Sequence, residues 1–135
     1  MKQLLAAGAL FISMVMPAQA TEWMDCSGGE KVNIRVLLGA MDVIAVDTVE
    51  IEVNGKKWST RAGEGVTLIT KGQAFETPGE LWIDVTDENV NLIVAKLRVF
   101  KAFEDGSENG EPYDAKGGTL HMLGIGAWAV SCSGP

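Results

Sequence analysis

The densest set of potential metal ligands in this chain of 135 residues lies in an acidic, glycine-rich stretch. Oxygen-bearing side chains occupy alternate positions there, at Asp105, Ser107, Asn109 and Glu111, with a glycine at the sixth position. An EF-hand loop opens in this way, because alternating oxygens surround Ca²⁺ and glycine permits the sharp turn. The twelfth position, where such a loop carries a bidentate glutamate, is Lys116. We therefore expect a solvated turn without a metal, and these four residues are only a weak calcium candidate.

Acid–base chemistry has few candidates in this sequence. His121 is the only histidine, and its neighbours Leu120 and Met122 indicate a strand with the imidazole on the outer side. Asp84, Asp87 and Glu88 form one cluster of carboxylates, and Glu50 with Glu52 forms a second. A small hydrolase would have to use His121 or Asp84/Asp87, but nothing around them resembles a known nucleophile signature. We expect no catalytic residue, no cofactor and no enzymatic activity.

Two cysteines, Cys26 and Cys132, lie near opposite ends of the chain. Their wide separation differs from the closely spaced pairs of redox enzymes, so we expect one structural disulfide in an oxidising compartment. A zinc site needs three or four ligands, and one histidine with two bonded cysteines does not provide them.

The first residues of the chain, 1–20, have the three parts of a secretory signal peptide. Lys2 supplies a positive start, residues 4–16 form an uncharged apolar run, and Ala18-Gln19-Ala20 is a small-x-small cleavage site. The run is shorter than the roughly 20 residues of a membrane-spanning helix, and no later segment is long and apolar enough to be one. We expect cleavage near Ala20-Thr21, export to the periplasm or the medium, and a single domain over residues 21–135.

The net charge of −7 limits the partners of such a domain. Cleavage would remove Lys2 and no acidic residue, which makes the exported chain one unit more negative. An acidic surface is unfavourable for binding nucleic acid or an anionic membrane. It suits a basic envelope or extracellular protein.

Short alternating segments separated by glycine, asparagine and aspartate indicate β-strands. The clearest feature is a hairpin in which Asn54-Gly55 forms a type I′ turn, pairing Ile51 with Trp58 and Glu52 with Lys57. Apolar spacing after Asp87 also fits a short helix over 87–95 that precedes a strand over 96–103. The stretch 104–118 reads as a loop. The predicted fold is all-β, or mostly β with one short helix: a small antiparallel barrel or sandwich of about eight strands closed by one disulfide.

One tryptophan stands out from the other three. Trp58 and Trp128 share strand faces with core residues, whereas Trp82 alternates with Leu81, Ile83 and Val85. Either that strand is buried on both faces, or Trp82 is exposed and free to anchor a partner. Trp82 is therefore the candidate partner-binding residue.

The chain resembles the small periplasmic lysozyme inhibitors of the MliC type in its layout. Trp23-Met24-Asp25-Cys26 opens the domain and Trp128-Ala129-Val130-Ser131-Cys132 closes it. The resemblance implies a β-barrel with an early and a late cysteine joined in a disulfide. The Ser-Gly-x-x-Tyr inhibitory loop of that family is not present, since Tyr113 follows Glu111-Pro112, and no inhibitory residue carries over. The layout is also similar to that of small exported Gram-negative proteins of unknown function.

These observations favour an exported, non-enzymatic binding or interaction domain. A more specific form of this hypothesis is an inhibitor of a basic extracytoplasmic enzyme such as lysozyme, and the alternative from another class is the small hydrolase.

Overall fold

Segments in which apolar and polar residues alternate form β-strands, and these strands pair into one closed β-barrel. The computed structural model describes residues 21–39, 43–105 and 113–135, and these contain nine β-strands and no helix. The strands are β1 Thr21–Ser27, β2 Val32–Gly39, β3 Ala45–Val53, β4 Lys56–Ser59, β5 Val66–Glu76, β6 Glu80–Asp87, β7 Ile93–Glu104, β8 Tyr113–Met122 and β9 Gly126–Ser133. Each strand pairs with the next, and β9 returns to β1, so the sheet is a barrel. The predicted signal peptide, residues 1–20, lies outside the described residues.

The core fills the inside of this barrel. Successive strand residues point to opposite faces, so every second side chain of a strand reaches the interior. On β2, for example, Val32, Ile34, Val36 and Leu38 are buried while Asn33 and Arg35 face outward. Full burial of one such aliphatic side chain contributes about 1.5–3 kcal/mol. The same pattern on β1, β3, β6, β7 and β8 joins these side chains into one core.

The predicted hairpin forms between β3 and β4. Asn54 and Gly55 have φ angles of 51° and 81°, the positive values that a type I′ turn requires. Ile51 is opposite Trp58, and Glu52 is opposite Lys57, in the predicted register. The turn chemistry and the alternation therefore select the same register.

The barrel closes where β1 meets β9. Only Asp25–Ser27 and Ser131–Ser133 pair across this seam, and Cys26 lies directly opposite Cys132. The two Cα atoms are 4.0 Å apart and the sulfurs are bonded, so the predicted disulfide is confirmed. It joins residues 106 positions apart in the sequence, at the shortest antiparallel junction of the wall.

One junction departs from the antiparallel prediction. β5 runs parallel to β4, pairing Lys57–Ser59 with Val66–Leu68, after a return loop over residues 60–65. The Ser59 hydroxyl accepts a hydrogen bond from the Arg61 backbone N–H at 3.0 Å and holds the start of this loop. The side chain of Arg61 also ties this loop to β3. The Thr48 hydroxyl and the Arg61 guanidinium both donate to the Asp47 carboxylate, and these bonds keep the pKa of that carboxyl below its ordinary value.

The predicted helix over 87–95 is wrong. β6 continues to Asp87, a tight turn follows, and β7 begins at Ile93. The Asp87 carboxylate accepts hydrogen bonds from the backbone N–H groups of Asn91 and Leu92, at 2.6 and 3.2 Å, and so closes the turn. Pairing of β7 with strands on both sides satisfies its backbone, which outweighs the local helical spacing.

Two glycines permit close approach between strands. Residues 66–76 form the single strand β5, whose register shifts between Lys71 and Ala74, and a Cβ on Gly72 would lie 2.6 Å from the Asp84 carbonyl oxygen. The predicted loop over 104–118 is strand at both ends, since β7 reaches Glu104 and β8 starts at Tyr113. A Cβ on Gly118 would lie 1.7 Å from the Arg98 carbonyl oxygen, so glycine there permits close strand approach rather than a turn.

The disulfide yields a stability prediction. We expect Cys26→Ala/Cys132→Ala to lose about 2–5 kcal/mol in free energy of unfolding, because the unfolded chain regains the freedom that the cross-link removes. Urea unfolding of residues 21–135 measures the change. Ser27→Ala/Ser131→Ala alters the neighbouring pair of the same seam and is the matched control. An equal loss in both variants would contradict a stapling role.

Candidate functional site

The outer wall of the barrel has two different halves. The outward side chains of β1 to β4 include many charged ones, among them Asp25, Arg35, Glu50, Glu52 and Lys57. From β5 to β9 much of the outer wall is uncharged. Three exposed aromatic rings adjoin small side chains there, and we call this set the aromatic surface: Phe75, Trp82, Phe100, Gly117, Thr119, Ala129 and Ser131.

Trp82 is at the centre of the aromatic surface. It is 44% exposed, while its strand neighbours Leu81 and Ile83 are buried, so β6 buries only its inner face. Phe75 is its cross-strand partner on β5, with ring centroids 6.2 Å apart and planes at 67°. Such an edge-to-face contact is favourable for aromatic quadrupoles. Trp82 is thus held in place on one side and remains accessible to solvent.

Arg98 supports Trp82 from the other side. Its guanidinium carbon lies 4.9 Å from the centre of the Trp82 ring, within range of a cation–π interaction. The same guanidinium donates to Asp84 at 2.7 Å and to the Leu97 carbonyl at 2.9 Å. Arg98 and Asp84 are each largely covered, with side-chain exposures of 23% and 20%. This ion pair leaves little free charge beside the ring.

The same arrangement occurs again on β1 and β2. Trp23 and Asp25 are two residues apart on one strand, as Trp82 and Asp84 are, and Arg35 comes from the next strand. The Arg35 guanidinium lies 4.4 Å from the Trp23 ring centre and 2.8 Å from the Asp25 carboxylate. We call these two sets the tryptophan–arginine–aspartate clusters. The Trp-x-Asp spacing, which places both side chains on one strand face, is the sequence signal that could have indicated them.

The charged half of the wall contains a groove of about 370 Å³ beneath the return loop. Glu50 and Glu52 line it and face outward, as predicted for the hairpin. Their carboxylates reach Arg35 and Lys57 only at 3.9 and 4.0 Å, the outer limit of an ion pair. The groove therefore offers polar groups of both signs.

The structure does not bring the acid–base candidates together into one site. His121 is exposed on the outer wall, with Lys96 and Ala127 as cross-strand neighbours. Asp84 is bound to Arg98, and Asp87 closes the β6–β7 turn. The structure thus gives each carboxylate a structural partner and leaves the imidazole on an open face.

The calcium candidate is only partly described. Asp105 is exposed at the end of β7, and Ser107, Asn109 and Glu111 lie outside the described residues. Across the three described ranges, no three His, Cys, Asp or Glu side chains are grouped to hold a metal ion. In the same part of the chain, no helix is long and apolar enough to cross a membrane.

The two clusters allow a matched stability test. We expect Arg98→Ala to lower the free energy of unfolding by about 1–3 kcal/mol, because it leaves a mostly covered Asp84 carboxylate unpaired. Arg35→Ala should cost less than about 1 kcal/mol, since Arg35 and Asp25 are half exposed. Chemical denaturation of both variants measures the difference. A larger loss for Arg35→Ala would contradict the role given to burial.

Comparison with known proteins adds no relative. The chain matches no protein-family model, and no curated protein and no solved structure is similar to it. The resemblance in layout to the periplasmic lysozyme inhibitors therefore stays a prediction, and the functional argument depends on the geometry of the aromatic surface.

Proposed function

We propose that this chain is a small exported binding domain, without catalytic activity, that contacts a protein partner through the aromatic surface. The single observation that supports this most is the exposed Trp82, held between Phe75 and Arg98. A tryptophan whose ring is already fixed loses little conformational freedom on binding, and tryptophan is enriched at binding hot spots. The small side chains of β8 and β9 beside it would allow a partner to approach the ring closely.

Charge favours a basic partner. Glu80 is the cross-strand neighbour of Phe100 on β7. Glu104 is the last residue of β7, and Asp105 follows it. These three carboxylates form no ion pair within the described residues. An apolar centre with a charged rim is the usual anatomy of a protein interface, and the rim would attract lysine and arginine. The net charge of −7 acts in the same direction at longer range.

The disulfide is consistent with the proposed location. Such a cross-link persists in an oxidising compartment, and the sequence of residues 1–20 has the features of an export signal. We propose that cleavage near Ala20-Thr21 releases the domain into the periplasm or the medium.

The first test uses Trp82→Ala. Immobilised residues 21–135 should retain basic envelope proteins that the Trp82→Ala variant retains at least about tenfold less, since a hot-spot truncation costs 2 kcal/mol or more. Quantitative mass spectrometry of the eluates measures the ratio. Phe103→Ala, which removes another exposed aromatic ring outside the aromatic surface, is the control. Identical protein sets on wild type and Trp82→Ala would contradict the proposal.

A narrower form of the proposal, favoured by the acidic charge, is inhibition of a basic enzyme such as lysozyme. Adding the domain to lysozyme should then slow cell-wall lysis, and Trp82→Ala should restore the rate. Turbidity of a cell-wall suspension follows the reaction. Unaltered lysis with the wild-type domain would exclude lysozyme as the partner.

A further inference from the structure

One end of the barrel presents aliphatic side chains to solvent. β6 and β8 both finish at this end, and the turns that follow them are neighbours because the Leu123 N–H donates to the Val94 carbonyl at 2.9 Å. The exposed aliphatic side chains of these two turns and of the first residue of β7, which we call the aliphatic tips, are Val90, Leu92, Ile93, Leu123 and Ile125. Each is 43–62% exposed, so the two turns and the start of β7 together display five large apolar groups.

The backbone at Val90 is in a costly conformation. Its φ is 60°, in the left-handed region where a β-branched residue is a genuine outlier. The turn is held by Asp87, and it directs a valine that is 62% exposed to solvent. Glycine or asparagine would occupy this position more cheaply. The strain is therefore unexplained by the turn itself and points to a use for the exposed side chain.

The two ends of the barrel differ in charge. At the tip end, Lys31 lies in the turn before β2, Lys56 is the first residue of β4, and Lys96 lies three residues after the start of β7. None of the three forms an ion pair within the described residues. Glu30, Glu64 and Glu88 lie at the same end, and the Asp87 carboxylate there is hydrogen-bonded within its own turn. At the opposite end, Lys101 and Lys116 are bound to Glu76 and Asp114. In the described part of the chain, the carboxylates of Glu22, Glu80, Glu104 and Asp105 form no ion pair at this end. The tip end, with three lysines that form no ion pair there, therefore meets less repulsion from a phosphate layer than the opposite end does.

We propose that the tip end docks on the surface of a zwitterionic phospholipid bilayer and inserts the aliphatic tips at the boundary of headgroups and acyl chains. The tips are wholly aliphatic and lie in or beside two neighbouring turns, so they can enter the apolar layer of a bilayer together. Lys96 is about 10 Å along β7 from Ile93, so its ammonium can reach the phosphates while the tips enter about 5–10 Å. This inference is independent of the aromatic surface, which lies on the side of the barrel.

Vesicle flotation tests the inference with a defined probe. Residues 21–135, which contain every strand and the disulfide, should float with phosphatidylcholine vesicles. Leu92→Asn/Ile125→Asn should lower the partition coefficient at least about tenfold. The two substitutions remove the free energy that the leucine and isoleucine side chains gain on transfer from water into the bilayer. Both positions are exposed, so the midpoint of thermal unfolding should stay unchanged. In Leu92→Trp, brominated lipid should quench fluorescence more strongly than in the wild-type domain.

The control variant removes two apolar side chains, each more exposed than Leu92 and Ile125, at the other end of the barrel. Val43→Asn/Phe103→Asn alters side chains that are 75% and 64% exposed and should leave the partition coefficient unchanged. Three results would overturn the proposal. One is a wild-type domain that does not float, and another is an equal loss in the control variant. The third is flotation that occurs only when phosphatidylglycerol is added, which would show that charge rather than aliphatic insertion drives binding.

Discussion

Closure of the wall between β1 and β9 is the constraint on which the rest of this barrel depends. Every other junction joins strands that are neighbours in the sequence, whereas this one joins segments separated by 106 positions. The paired part of the seam is short, and a covalent bond lies in its middle. If the seam opened, β1 and β9 would become free edges, and the core side chains Met24 and Val130 would be exposed beside them.

Once the wall is closed, the inside and the outside take different roles. The interior side chains of β2, β3, β6 and β7 are Val, Ile, Leu and Ala packed in one core, so they stabilise the fold. Groups available for recognition therefore lie on the outer wall and in the turns. Exposed aromatic rings and small side chains are grouped on β5 to β9, and charged side chains are more frequent on β1 to β4. The ion pair of Arg98 with Asp84 neutralises two charges beside Trp82, and Arg98 also contacts its ring.

Features with a strong local cause were predictable from the sequence. Asn54-Gly55 determines its hairpin through backbone geometry. The alternation around Trp82 leaves two possibilities, an exposed ring or a strand that is buried on both faces, and in the fold the ring is exposed. The disulfide followed from compartment and cysteine count. In each case the deciding interaction lies within a few residues or depends on chemistry that only one pair of side chains has.

Features decided by distant partners were not predictable. Residues 87–95 have helical spacing, but the Asp87 carboxylate closes a turn there, and from Ile93 onward pairing with β6 and β8 makes the chain a strand. The glycines at 117 and 118 look like a loop until the close approach of β7 is known. Arg98 comes from a different strand than Trp82, so the cluster exists only in the folded register. A single sequence contains the Trp-x-Asp half of that motif and leaves the arginine unassigned.

The parallel junction between β4 and β5 determines the direction in which β9 runs relative to β1. In a meander whose strands alternate strictly, the first and ninth strands run in the same direction and would meet as a parallel pair. One parallel junction reverses the direction of all later strands, so β9 arrives antiparallel to β1. The two cysteines can then stand face to face across the seam. The short return loop over residues 60–65 therefore sets the orientation in which the distant disulfide forms.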